Sequence, residues 1–237
     1  LLGRFLEFSL CTPDIRASLD FYGKLGFSEA QVGETWGHPY AVVTDGRICL
    51  GLHQGPAESA LTFVKPGLLR HADVLESRGI DFEYRRLGND IFNEVAWKDP
   101  DGQLLRLIEA RTFSPSKRPS TTLSRCGYFT EIALPCADFA NGKGYWETLG
   151  FVGMDETSDP FPHVGCTSDF LDLGLYAPGP LRRAGLRFEV EDLAAARAAL
   201  ADLGIAAGIA PAPQPAARAQ SVLLHAPEGT PLWIVAA

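Results

Sequence analysis

The stretch Phe5-Leu6-Glu7-Phe8-Ser9-Leu10-Cys11-Thr12-Pro13-Asp14-Ile15-Arg16-Ala17-Ser18-Leu19-Asp20-Phe21-Tyr22-Gly23-Lys24-Leu25-Gly26-Phe27 decides how the rest of the chain is read. Leu6, Phe8 and Leu10 alternate with Glu7 and Ser9, the period of a strand with one buried face. Thr12-Pro13-Asp14 turns the chain into a helix with Asp14 as its N-cap. Leu19, Phe21, Tyr22 and Leu25 supply its apolar positions and Gly26 its stop. The pattern then returns. Glu7 and Glu131, Asp14 and Asp138, Leu25-Gly26-Phe27 and Leu149-Gly150-Phe151 are each 124 positions apart, and a fixed offset over separate landmarks reads as an internal duplication.

Between these landmarks the first half predicts strands near 28–33, 39–44 and 47–53, with Asp45-Gly46 as a hairpin signal. A second set begins at Leu61-Thr62-Phe63, with a helix from about Gly67 to Arg78 and strands near 81–86, 91–97 and 103–109. Asp99-Pro100-Asp101-Gly102 marks a turn. In the second half Leu186-Arg187-Phe188-Glu189-Val190 precedes a helix from Asp192 to Leu203, Pro211, Pro213 and Pro215 mark a loop, and Pro227-Glu228-Gly229-Thr230 repeats the earlier turn. The class is α+β, with four β-α-β-β-β units paired into two domains, 1–110 and 126–237. The polar, proline-bearing stretch 111–125 is the linker between them.

Composition narrows the function. With 46% apolar and 21% charged residues the chain can build real cores under a polar surface. A net charge of −8 argues against binding a nucleic-acid backbone, which calls for a basic face. Five cysteines without a CxxC pair fit a reducing cytoplasm better than a disulfide framework or a structural zinc site. No apolar run is long enough for a membrane helix and no signal-peptide pattern is present. The chain opens at Leu1 without a methionine, so a short missing leader is expected. The partner indicated is a small molecule, and the protein is expected to be a monomer or a homodimer.

The opening strand, Ala17-Ser18-Leu19-Asp20-Phe21-Tyr22 leading into Leu25-Gly26-Phe27, and Asp99-Pro100-Asp101-Gly102 before a last strand resemble the vicinal oxygen chelate superfamily. That group holds glyoxalase I, bleomycin-resistance proteins and extradiol dioxygenases. The resemblance covers nearly the whole chain outside the linker. It implies glyoxalase-like domains whose mixed sheets curve into open cups, with the helices outside. It also implies four metal-ligand positions per cup. Here those fall on Glu7, Gly51, Ala60 and Arg106, and on Glu131, Gly174, Gly185 and Trp233. Only the two glutamates are donors, and Arg106 brings a permanent cation, so neither a metal nor any other cofactor is expected.

Strand alternation gives the cup faces directly. Leu6, Phe8 and Leu10 belong to the core side of the first domain; Glu7, Ser9, Cys49, Gly51, His53, Thr62, Arg106 and Ile108 belong to its cup. In the second domain the cup side is Glu131, Ala133, Asp172, Gly174, Tyr176, Arg187, Glu189 and Trp233. Glu7 and Arg106 are expected to form an ion pair across the first floor, worth about 4 kcal/mol at ~4 Å before desolvation. Arg187 is expected to flank Glu131. Trp233 is either a stacking platform or a plug, the plug being ahead. His53 suits acid–base chemistry or ligand binding. His38 and His163 are placed at the cup mouths, with Tyr40 and Trp36 beside His38, while His71 and His225 are expected on the surface.

The ligand-binding candidates are therefore Glu7, Ser9, His38, Tyr40, His53 and Arg106 in the first cup. In the second they are Glu131, Asp172, Tyr176, Arg187 and Trp233. Three readings stay open: a metal-free small-molecule-binding protein, placed first; a lyase, isomerase or dioxygenase using a divergent metal site or Glu/His acid–base catalysis; and a scaffold with filled cups.

Overall fold

The computed structural model describes residues 1–31, 36–55, 58–110, 124–158, 161–179, 181–209 and 221–237. Most of the linker (111–123) and the loop at Pro211, Pro213 and Pro215 lie outside the described residues, as do positions 32 and 33 of the strand expected near 28–33. The first half runs β1 (Arg4–Thr12), α1 (Ile15–Lys24), β2 (Ser28–Ala30), β3 (Tyr40–Thr44), β4 (Cys49–Gln54), β5 (Ala60–Val64), α2 (Leu68–Glu76), β6 (Tyr84–Arg86), β7 (Glu94–Lys98) and β8 (Leu104–Ile108). The second runs β9 (Tyr128–Pro135), α3 (Phe139–Thr148), β10 (Val152–Thr157), β11 (His163–Thr167), β12 (Asp172–Tyr176), β13 (Gly185–Val190), α4 (Leu193–Asp202), β14 (Gly208–Ile209), β15 (Ser221–His225) and β16 (Pro231–Ala236).

Each half forms one eight-stranded mixed sheet, ordered β2-β3-β4-β1-β5-β8-β7-β6 and β10-β11-β12-β9-β13-β16-β15-β14. β1 is central, parallel to β4 and antiparallel to β5; β9 stands likewise between β12 and β13. The opening segment of each half is thus the strand on which a three-strand and a four-strand blade meet.

Local chemistry sets the helix ends. Asp14 accepts from the Arg16 and Ala17 amides (2.9 and 3.2 Å), Asp138 from Asn141 (3.1 Å) and Asp192 from Ala195 (2.9 Å), so three helices start on a carboxylate that satisfies orphan N–H groups. Gly26 and Gly150 end α1 and α3 at φ of 90° and 101°, backbone that a β-carbon would strain. The helix expected over 67–78 is shorter at both ends: Gly67 caps it in the left-handed region without a side-chain bond, and after Glu76 the chain tightens, the Arg78 amide donating to the Leu75 carbonyl (3.0 Å).

The helices cover the sheet faces opposite the cups and share one core with them. Phe8, Leu10, Leu50, Leu61 and Leu105 join Tyr22, Leu25 and Leu75, and the same cluster continues through Trp146, Ile132, Leu186 and Phe188 of the second half. Leu6, expected in this core, is only half-buried. A bulge between Phe5 and Glu7 shifts the register there, and Phe5 packs on Phe63 instead, with ring centroids 5.4 Å apart. The halves also exchange hydrogen bonds. Glu228 accepts from Ser18 (2.8 Å) and Tyr22 (2.7 Å), Asp101 from the Ala137 amide (2.8 Å), and Tyr145 from the Trp97 indole (2.7 Å). Each Pro-acidic-Gly turn therefore reaches a helix or helix entry of the other half. No helix among the described residues is long and apolar enough to cross a membrane.

Candidate functional site

The first cup is built around Glu7, whose side chain is 1% exposed. Its Oε1 accepts from Ser9 Oγ (2.7 Å) and lies 2.7 Å from His53 Nε2, while Tyr40 Oη donates to its Oε2. Ser9 lies 2.7 Å from Thr62 Oγ1, which extends the network onto β5. A buried carboxylate survives because several donors replace its lost water. His53 Nδ1 in turn lies 2.9 Å from Nε2 of His38, which is exposed at the mouth. The register explains the grouping: β1 and β4 are neighbours, and Tyr40 on β3 stands directly opposite His53.

The roles of the ring nitrogens follow from Glu7. With Glu7 as acceptor only and His53 carrying a single ring proton, that proton is on Nε2, His53 accepts through Nδ1, and His38 donates from Nε2. That leaves a lone pair on His38 Nδ1. Partial burial, then the neighbouring His53 and Arg106, hold His38 below the usual imidazole value. That direction favours the neutral imidazole, the form able to accept a proton. A cavity of about 520 Å³ opens beside it, lined by Ser9, Trp36, His38, His53, Tyr84, Arg86, Glu94 and Arg106 among others. That volume suits a small organic ligand.

The expected Glu7–Arg106 pair does not form. Arg106 Nε lies 3.0 Å from Glu94 Oε1, although its N–H is not aligned for a hydrogen bond. Strand order gives the reason. β5 separates β1 from β8, so Glu7 and Arg106 sit two strand spacings apart, roughly 9–10 Å, whereas Glu94 is on the adjacent β7. Burial raises the Glu94 carboxyl above its usual range, against the pull of Arg106. The Arg106 guanidinium lies 5.6 Å from the Trp36 ring centroid, and Trp36 also meets His53 edge-on at 5.0 Å.

The second cup has a different interior. Tyr176 donates to Glu131, and Arg187 stands opposite Glu131 in the register with Nε 3.8 Å away. The closer partner of Arg187 is Glu189, at 2.9 Å. Burial raises Glu131 above the usual carboxyl range; Arg187 and the Tyr176 hydroxyl oppose it. Trp233 is 1% exposed and packs on Phe161 (4.6 Å) and Tyr176 (5.0 Å) in an apolar cluster with Ala133, Leu181 and Val235. It is a plug, not a platform. His163 stacks on Tyr176 at 4.7 Å and bonds the Phe161 carbonyl (2.8 Å). Asp172 lies apart, bonded to Thr167 at the start of β12.

The ligand candidates therefore separate. Ser9, His38, His53 and Arg106 line the open cavity, with Glu7 and Tyr40 behind them, whereas Glu131, Tyr176, Arg187 and Trp233 are packed against each other. His71, expected on the surface, is half-buried and bonds the Leu1 carbonyl at 2.8 Å. The cavity also contains Glu58, Glu83, Tyr84, Arg86 and Glu94, which sequence reading missed. The signal was there in part, since the charged Glu94 and Lys98 share one parity with Ala96 while the apolar Val95 and Trp97 take the other.

Comparison with solved structures gives the same architecture over the full length. A homoprotocatechuate 2,3-dioxygenase from Arthrobacter globiformis matches with a TM-score of 0.66 at 18% identity, covering 100% of this chain and 80% of that one. A catechol 2,3-dioxygenase matches at 0.62 and 16%, covering 100% and 88%. The 2,3-dioxygenase LapB from Pseudomonas sp. KL28 matches at 0.63 and 14%, covering 100% and 94%. No protein-family model matches the sequence, and no curated protein matches it. The protein thus has the two-domain fold of the extradiol dioxygenases, members of the vicinal oxygen chelate superfamily. At these identities the likeness is one of fold.

The residues at the superfamily's metal positions do not fit a divalent ion. Gly51 and Gly174 offer no donor, and a β-carbon at either would collide with the Glu7 or Glu131 carboxylate folded over it. A β-carbon at Gly185 would meet Pro231 Cγ at 2.6 Å. Ala60 and Trp233 are fully buried, and Arg106 faces Glu94. Among the described residues no three His, Cys, Asp or Glu side chains are placed to hold a metal.

Proposed function

We infer that the protein is a metal-independent enzyme of the acid–base kind, an isomerase or lyase acting on a small molecule in the first cup. His38 takes a proton from the bound substrate and returns it. The observation that carries this reading is the unbroken run Glu7–His53–His38, at 2.7 and 2.9 Å, ending on the 520 Å³ cavity. Both distances lie in the range over which a proton or a tautomer preference passes between side chains. Glu7 fixes His53, and His53 fixes His38 with its basic nitrogen away from the relay. Ser9, Tyr40 and Thr62 hold the carboxylate still, and Arg106 contributes charge to the cavity wall. A passive carrier would need the cavity and the arginine but gains nothing from two imidazoles in series behind a buried carboxylate. In the same proposal the second cup is structural, and residues 111–125 join domains 1–110 and 126–237.

Histidine ¹⁵N NMR tests the relay. Both imidazoles are expected as the Nε2–H tautomer, with His38 titrating below the ordinary imidazole value, and Glu7→Gln is expected to mix the tautomers. Finding the His38 proton on Nδ1 in the unaltered protein would remove its basic nitrogen and the proposal with it. Oxygen-dependent opening of a catechol ring is the second reading, and the whole-chain likeness to extradiol dioxygenases supports it. Oxygen uptake with catechol, together with one equivalent of bound iron per chain, would replace the first reading with this one.

A further inference from the structure

The cavity wall carries charge in a polarised pattern along β7. At one end Glu94 faces Arg106 at 3.0 Å and pairs in the register with Arg86, so a single anion stands between two cations. At the other end Lys98 Nζ lies 3.0 Å from Glu58 and 3.7 Å from Glu83, one cation between two anions. Ala96, a small residue, leaves room between the two groups, which stand about 13 Å apart along the strand. The positive end is where the working histidine is found, because the Trp36 ring lies 5.6 Å from the Arg106 guanidinium and 5.8 Å from the His38 ring. Arg106 Nε–H is buried there without an aligned acceptor, and a buried donor of that kind is costly until something accepts from it.

Resting on the acid–base reading above, we propose that the first cup takes a planar monocarboxylate. Its carboxylate is held by Arg86 and Arg106, and its flat body lies between Trp36 and Tyr84, within reach of His38. Guanidinium groups recognise a carboxylate through paired N–H donors, and indole and phenol faces accept a ring or conjugated system. The excess of glutamate at the far end works against a second negative charge, so dicarboxylates are disfavoured.

Trp36 supplies the readout, because Trp97, Trp146 and Trp233 are each 1% exposed and Trp36 alone of the four is partly open to solvent. Benzoate, benzamide, benzylamine and terephthalate are titrated against the full chain while tryptophan fluorescence is followed, with Trp36→Phe as the control that removes the signal. Benzoate is expected to bind at least tenfold more tightly than the other three. Arg86→Gln, at an exposed position, is expected to weaken benzoate about tenfold, and Glu94→Gln to tighten it severalfold by removing the competing anion. Equal binding of benzamide or benzylamine, or no change on Arg86→Gln, would overturn the carboxylate assignment while leaving the cup as a ligand site. Failure of all four probes to alter Trp36 fluorescence would overturn both.

Discussion

The two cups begin from the same parts and end differently. Each has a buried glutamate on its central strand, folded over a glycine on the neighbouring strand, and each has a histidine and a tyrosine facing one another across a strand pair. In the first cup Tyr40 on β3 faces His53 on β4; in the second His163 on β11 faces Tyr176 on β12. The pair is exchanged. With histidine beside the glutamate the hydrogen-bond run continues to a second imidazole and reaches the cavity. With tyrosine there the hydroxyl donates to Glu131 and the run stops, while His163 stacks on the phenol ring and Phe161, Leu181 and Trp233 occupy the space above. An imidazole can pass on a hydrogen-bond preference because it has two ring nitrogens, whereas a phenol bonds through one oxygen.

The sharpest break of this comparison is at the tryptophans. Trp233→Ala is expected to cost about 3–5 kcal/mol of unfolding free energy, the range for emptying a packed aromatic site, as read from urea denaturation. Trp36→Ala is expected to cost far less. Equal effects would mean that the second cup is no more filled than the first.

Next come the glycines under the glutamates. Gly51→Ala and Gly174→Ala each force a carboxylate out of its place and are expected to cost about 1–3 kcal/mol. Only Gly51→Ala is expected to change the His38 tautomer seen by NMR. An effect of Gly174→Ala on His38 would mean that the two networks are coupled, contrary to the separation described above.

The smallest effect is on pH dependence. Burial raises Glu131 in the folded protein, so it keeps its proton at pH values where the unfolded chain has already released one. Unfolding then releases a proton. The stability linked to Glu131 is full below the ordinary glutamate value and is lost as pH rises through its folded value. Denaturation midpoints measured from pH 4 upward are expected to fall less steeply in Glu131→Gln, which keeps an acceptor for Tyr176. An unchanged slope would assign the pH dependence to other carboxyls, such as Glu94.

Much of this molecule was legible in one dimension. Aspartate caps, Leu-Gly-Phe stops and the Pro-acidic-Gly turns act over three or four residues, and period-two alternation assigned Glu7, Ser9, His53 and Arg106 to the cup face. The errors arose where lateral order mattered. Alternation says which face a side chain occupies and nothing about which strand lies beside it. Glu7 was therefore paired with Arg106 across an intervening strand, while Arg187, on the strand directly beside Glu131, comes within 3.8 Å of its expected partner. Glu94 and Arg86 escape a reading by alternation because β7 and the edge strand β6 lie three and four places from β1 in the sheet and far from the opening segment in sequence.

The sequence by itself determined the two βαβββ pairs, because local periodicity suffices for them, and its residue identities leave few donors at the metal positions that the superfamily resemblance implies. Only the tertiary structure decided that one cup stays open with two histidines in series while the other closes around Trp233. That outcome depends on side chains as distant in the chain as Ala133, Phe161 and Trp233 meeting in three dimensions, where packing and hydrogen-bond geometry, not local propensity, select the neighbour.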